Sequence, residues 1–193
     1  MLRHSLFSLA VLGCVLFLAS AQTGKSVKSG PQVGAEVPGP FHPLNVTGEH
    51  AGKKACLFCL NSGNPVAVVF AREATPAVAK LLKQLDLATI KHAKANMGSF
   101  AVFCSNSEGL DKRLEKIASQ QKLIKLVLSI DNPTGPKGYA IAKDAEVTVF
   151  LYKTVEEKDG FTQRVLSNHA FGKGQLNDAG IARVVADVSK IVK

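Results

Sequence analysis

The sequence predicts an α/β domain, a three-layer sandwich with a central mixed β-sheet and helices on both faces. Apolar runs of strand length recur at 66–71, 100–104, 123–130 and 147–152. The stretches between the first three of them repeat their apolar residues at helical spacing. Lys158-Asp159-Gly160 then turns the last run back as a hairpin, which sets antiparallel pairing beside the parallel pairing that helical crossovers impose.

Residues 1–21 read as a signal peptide. Arg3 and His4 give a basic start, 6–18 is an apolar run, and Ala19-Ser20-Ala21 is a small-x-small cleavage site ahead of polar Gln22. A retained span would need roughly 20 apolar residues, more than this run offers. Val11-Leu12-Gly13-Cys14 has the form of a lipid-attachment site, yet the chain stays apolar through Leu18 where a lipid-anchored protein would turn polar. The expected localisation is secreted or periplasmic, with no membrane association after cleavage. Residues 22–40, rich in Gly, Ser, Pro and Lys, have the composition of a flexible linker, so the domain is expected to span 41–193.

A short strand and turn over 44–54 precede Cys56-Leu57-Phe58-Cys59 and the turn cluster Asn61-Ser62-Gly63-Asn64-Pro65. Val66–Ala71 is continuously apolar and β-branched, the pattern of a strand buried on both faces. Thr75 then reads as an N-cap with Pro76 at the first helical position, where a missing N–H costs nothing. Val78, Leu81, Leu82 and Leu85 line one face of that helix, and helical character runs on to about residue 96. A strand over 100–104 leads to a helix whose inward stripe is Leu110, Leu114, Ile117 and Ala118, then to a third strand over 123–130. After the loop Asp131-Asn132-Pro133-Thr134-Gly135-Pro136, a short helical piece over 139–143 precedes the strand 147–152, and the hairpin returns over 161–170. Asn177 or Asp178 caps a closing helix with Ile181, Val184, Val185, Val188 and Val192 on one face.

Lys and Arg outnumber Asp and Glu by 24 to 15. The basic residues, among them Lys80, Lys83, Lys91, Lys112 and Lys116, are scattered over solvent faces of helices with few aromatics between them. A nucleic-acid platform wants a basic stripe with stacking rings, so no nucleic-acid partner is expected.

Leader cleavage removes Cys14 and leaves Cys56, Cys59 and Cys104. An odd count in an exported chain means a free thiol, an intermolecular bridge or a metal site. For Cys56 and Cys59 three readings are open. They form a redox-active pair, with Lys53 and Lys54 as nearby cations to lower a thiol pKa; or a small structural disulfide; or half of a metal site completed by His50 with His42 or another histidine. A closed metal site wants four ligands and no second Cys pair exists, while covalent haem attachment is disfavoured because Leu60 follows Cys59. No cofactor is expected. Cys56 and Cys59 precede the strand 66–71 and so lie near its beginning or fold back along it through the 61–65 turn, whereas Cys104 ends its own strand and lies toward the opposite pole, beside Thr75. The pair is therefore expected to bridge internally and leave Cys104 free as a buried, inert thiol. His92 and His169 are expected at the surface, Glu73 in a solvated pair with Arg72, and Asn45-Val46-Thr47 fits a glycosylation sequon.

Three stretches carry a resemblance: 65–71 before a Thr-Pro helix start, Tyr139-Ala140-Ile141 before a strand, and Glu146-Val147-Thr148-Val149-Phe150-Leu151-Tyr152 followed by a hairpin and terminal helix. Together they resemble the thioredoxin-like superfamily, in its exported redoxin branch related to peroxiredoxins, over nearly the whole mature chain. The resemblance implies a thioredoxin-like sandwich and thiol–disulfide chemistry at Cys56 and Cys59 with an exported thiol or disulfide protein as partner. It leaves a non-catalytic interaction module with a structural disulfide as the alternative. Two departures accompany it. Where such enzymes carry redox cysteines, just after the first core strand, this chain has Arg72-Glu73-Ala74-Thr75-Pro76-Ala77. Where they carry a cis-proline, it has Ala145, Glu146 and Val147.

Overall fold

The computed structural model describes residues 27–193. The leader assigned to 1–21, with Cys14, lies outside the described residues.

Six strands make one mixed sheet: β1 (Leu44–Asn45), β2 (Val66–Ala71), β3 (Gly98–Cys104), β4 (Val127–Asp131), β5 (Ala145–Glu157) and β6 (Gly160–Gly172), in the order β1-β4-β3-β2-β5-β6. β2, β3 and β4 pair in parallel, and antiparallel pairs β1–β4, β2–β5 and β5–β6 complete the sheet. Every residue of β2 is buried, as its unbroken apolar run requires of a strand covered on both faces. Beyond Tyr152, which pairs with Val66, β5 and β6 continue as a two-stranded ribbon down to Glu157 and Gly160.

Among the described residues four α-helices accompany the sheet: α1 (Leu57–Leu60), α2 (Pro76–Lys91), α3 (Leu110–Gln120) and α4 (Asp178–Asp187). Thr75 Oγ1 accepts the Val78 N–H at 3.3 Å and Asn177 Oδ1 accepts the Gly180 N–H at 2.9 Å, so both predicted caps form. The helices share the faces unequally. Leu81, Leu82 and Leu85 of α2, Leu114 of α3 and Val184 of α4 join one core with Ala67, Val69, Ala101, Phe103 and Val149. Phe70, Phe100, Phe150 and Tyr152 on the other side meet Val37, Phe41, Leu57 and Tyr139, which come from irregular chain and the single turn of α1.

That second face corrects the linker assignment for its described part. Residues 27–40 are bonded along β5 and β6: Ser29 Oγ meets Thr148 Oγ1 at 2.7 Å, Gly34 N–H donates to Val165 O at 2.9 Å and Val37 N–H to Gln163 O at 2.9 Å. Gly30 is required here, at φ +74°, since a Cβ would stand 2.9 Å from the Thr148 methyl. Composition signalled a tether because Gly, Ser and Pro serve equally where a chain must lie flat on a sheet edge and cap its unpaired groups.

Two further boundaries move for the same kind of reason. β4 begins at Val127, not 123, because the N–H groups of Ile124, Lys125 and Leu126 all go to one carboxylate oxygen, Asp86 Oδ1, at 3.0, 2.7 and 3.0 Å. No helix forms over 139–143. Gly138 and Ala140 take left-handed φ of 88° and 53°, Gly30 N–H donates to Ala140 O at 3.1 Å, and Ala142 N–H donates to Ser29 Oγ at 2.9 Å. The N-terminal segment takes the backbone groups a helical turn would have used.

Candidate functional site

Cys56 and Cys59 stand at the two ends of one helical turn, a spacing that brings side chains to the same face. They form a disulfide with Cα atoms 5.2 Å apart. Cys56 is the N-cap of α1, and its Sγ accepts the Cys59 N–H at 3.1 Å. The two cysteines differ in exposure. Cys56 is buried, with 8% of its surface open, whereas Cys59 is exposed.

The turn is held on three sides. Upstream, Ala55 N–H donates to Pro43 O at 3.3 Å and Asn45 N–H to Lys53 O at 2.9 Å, tying the approach to β1. Beneath, Leu57 enters the second core and the Phe58 ring lies 6.3 Å from that of Tyr152. Downstream, Asn61 Nδ2 donates to Leu57 O at 2.8 Å, and the Asn61 amide lies over Gly98, where a Cβ would stand 1.9 Å from its Oδ1. Glycine at the head of β3 is thus what lets Asn61 close the turn.

Cys104 lies at the opposite pole, at the carboxyl ends of the parallel strands. It borders an open groove of about 520 Å³ that also touches Arg72, Thr75, Ser105, Arg113 and Pro133. Burial pushes its thiol up to about 12, against a pull downward from Arg72 and with a further push from Asp131. It is a free, buried thiol with no thiolate to offer near neutral pH. The two poles are chemically separate. Thr75→Ala is expected to cost about 1 kcal/mol through the lost cap and to leave the Cys56–Cys59 disulfide intact. Thermal melting alongside a free-thiol count checks both.

Several residues singled out from sequence take other roles. Arg72 does not pair with Glu73; it donates to the carbonyls of Ala145, Pro133 and Ala142 at 2.9, 2.8 and 2.9 Å. His169 is not a free surface ring, since its Nε2 lies 3.0 Å from Asp187 Oδ2 and 3.1 Å from Ser167 Oγ. Asn45 is 1% exposed, and Thr47 Oγ1 accepts the Leu128 N–H at 2.8 Å, so the folded chain withholds that sequon from any transferase. Among the described residues no group of three or more His, Cys, Asp and Glu side chains is placed to hold a metal.

No protein-family model and no curated protein sequence matches the chain. Solved structures do. A protein from Chlorobium tepidum assigned as the thiol:disulfide interchange protein DsbE superposes with a TM-score of 0.58 at 16% identity, over 84% of this chain and 99% of that one. The fold is thioredoxin-like. A protein from Bacteroides thetaiotaomicron assigned as a protein disulfide isomerase gives 0.57 at 17% identity, over 86% of this chain and 94% of that one. Peroxidoxin BcpB from Mycobacterium tuberculosis gives 0.55 at 17% identity, over 83% and 98%. On this thioredoxin-like frame the disulfide sits before β2, and Thr75 with Pro76 occupies the start of α2. No helix among the described residues is long and apolar enough to cross a membrane.

Proposed function

We propose that this chain is an exported thiol–disulfide exchange protein in which Cys56 and Cys59 are the working couple and the partner is an exported protein presenting a thiol or a disulfide. The observation that carries the reading is a Cys56–Cys59 disulfide, with one cysteine exposed and the other buried, on a thioredoxin-like frame. The leader assigned to residues 1–21 supports a secreted or periplasmic setting, where disulfides persist.

A second reading has its own support. The pair stands away from the start of α2, where a longer helix could lower a thiol pKa. On that reading the disulfide is a clip that shapes the entry to β2, and the protein is a non-catalytic interaction module. Reduction potential separates the two. Equilibration of the chain from residue 22 onward with glutathione or dithiothreitol buffers, followed by alkylation and mass spectrometry, is expected to give a value of roughly −120 to −270 mV. A value below about −300 mV would make the bridge structural and overturn the exchange reading.

A further inference from the structure

We infer that Cys59 is the sulfur an incoming thiolate attacks and that Cys56 is the leaving and resolving sulfur, because the turn exposes the second cysteine and buries the first. The inference rests on the exchange reading of this pair and assigns its direction.

Thiol–disulfide exchange needs the nucleophile, the attacked sulfur and the leaving sulfur nearly in line, so the attacked sulfur must be open on the side away from its partner. Cys59 is an exposed residue and is followed by Leu60, itself 56% exposed, so this end of the turn borders solvent. Cys56 has 8% of its surface open and is followed by Leu57 at 3%, so a nucleophile aimed at it must first displace packed side chains. Access favours Cys59.

The leaving group points the same way. Attack at Cys59 Sγ forms a bond between that sulfur and the incoming one and breaks the Sγ–Sγ bond, and the electron pair departs on Cys56 Sγ. The Cys59 N–H, 3.1 Å from that sulfur, already donates to it and strengthens its bond as charge develops. Burial opposes the charge, which is why the donor matters: without it a thiolate at Cys56 would face desolvation alone. Attack in the other direction would leave the charge on Cys59, which receives no such donor from the turn. The mixed disulfide therefore sits on the exposed Cys59, and the Cys56 thiolate, one turn back, can return to Cys59 Sγ, restore the bridge and expel the partner's thiolate. Cys104, at the other pole, takes no part.

Single variants test the direction. Cys56→Ser and Cys59→Ser, each reduced and then exposed to oxidised glutathione at pH 8, are followed by mass spectrometry for the glutathione adduct. The Cys56→Ser protein is expected to acquire the adduct at Cys59 at least ten-fold faster than the Cys59→Ser protein acquires it at Cys56; equal or reversed rates overturn the assignment. Cys56→Ala and Cys59→Ala serve where a serine hydroxyl disturbs folding. A variant-free check is acid quenching of the oxidised wild-type chain during reaction with reduced glutathione, where peptide mapping should place the transient adduct on Cys59, and an adduct on Cys56 contradicts it. The potential measurement answers a different question. A ten-fold rate ratio with a potential outside the exchangeable range would sink the exchange function and uphold the direction, while a reversed ratio with a potential inside it would do the opposite.

Discussion

Asp86→Ala is expected to destabilise the domain by about 3 kcal/mol, a fall of roughly 6 to 12 °C in melting temperature for a domain of this size. The side chain is fully buried on α2, and its Oδ1 alone terminates the backbone N–H groups of Ile124, Lys125 and Leu126. Lys83 Nζ lies 3.5 Å from Oδ2. Truncation leaves three backbone donors without their acceptor at the entry to β4 and opens a void beneath them. Asp86→Asn keeps an oxygen in place and loses the charge, so it should recover part of the deficit. Urea denaturation at pH 7 measures both.

The same carboxylate sets a pH dependence. Burial alone would raise its pKa, but the N–H groups of Leu126, Lys125 and Ile124, together with Lys83, outweigh burial and hold it below the ordinary Asp value. A depressed folded-state pKa means the native state binds fewer protons than the unfolded chain. The stabilisation is therefore complete above the unfolded value of about 3.9 and is lost as pH falls through the folded value. The stability gap between wild type and Asp86→Asn should be flat from neutral pH down to about pH 5 and should close in more acid solution. A gap that widened on acidification would contradict the assignment.

Asp86 also shows where the sequence stopped being legible. Local signals identified what they could reach: the apolar run of β2, the Thr75-Pro76 start of α2, the Asn177 cap and the hairpin at Lys158-Asp159-Gly160 all rest on residues within a few positions of each other. A carboxylate reaching 38 to 40 positions ahead leaves no local trace, so the strand that begins at Val127 looked longer. Residues 27–40 misled for the opposite reason. Their composition is that of a tether, and only partners such as Thr148, Gln163 and Val165, more than 110 positions away, turn them into cover for the sheet. The bridge itself was legible, because Cys56 and Cys59 are three positions apart and Cys104 ends a strand. Which cysteine is exposed was not, since that depends on Leu57, Phe58 and Asn61 finding Tyr152 and Gly98 across the fold.

Arg72→Met is expected to cost about 2 to 3 kcal/mol and to unmask Cys104. The guanidinium donates through Nε and both terminal nitrogens to carbonyls on both sides of the loop 132–144: Pro133 at one end, Ala142 and Ala145 at the other. Three charge-assisted bonds in a fixed fork are what Arg provides and Lys cannot, so Arg72→Lys should recover only a fraction of the loss. This loop packs against the buried thiol, with a Cβ at Gly135 falling 3.5 Å from Cys104 Sγ. Two consequences for Cys104 oppose each other. Loss of the cation removes a pull that lowers the thiol's pKa, which by itself would slow alkylation, while loosening of the loop admits reagent and solvent. Burial is the largest cause of the raised pKa, so opening should dominate. Iodoacetamide labelling of Cys104 in the folded Arg72→Met protein should therefore exceed that of wild type, with the Cys56–Cys59 disulfide unaffected. Unchanged stability with Cys104 still protected would mean that Ser29 and Gly30, bonded to Ala142 and Ala140, hold the loop without Arg72.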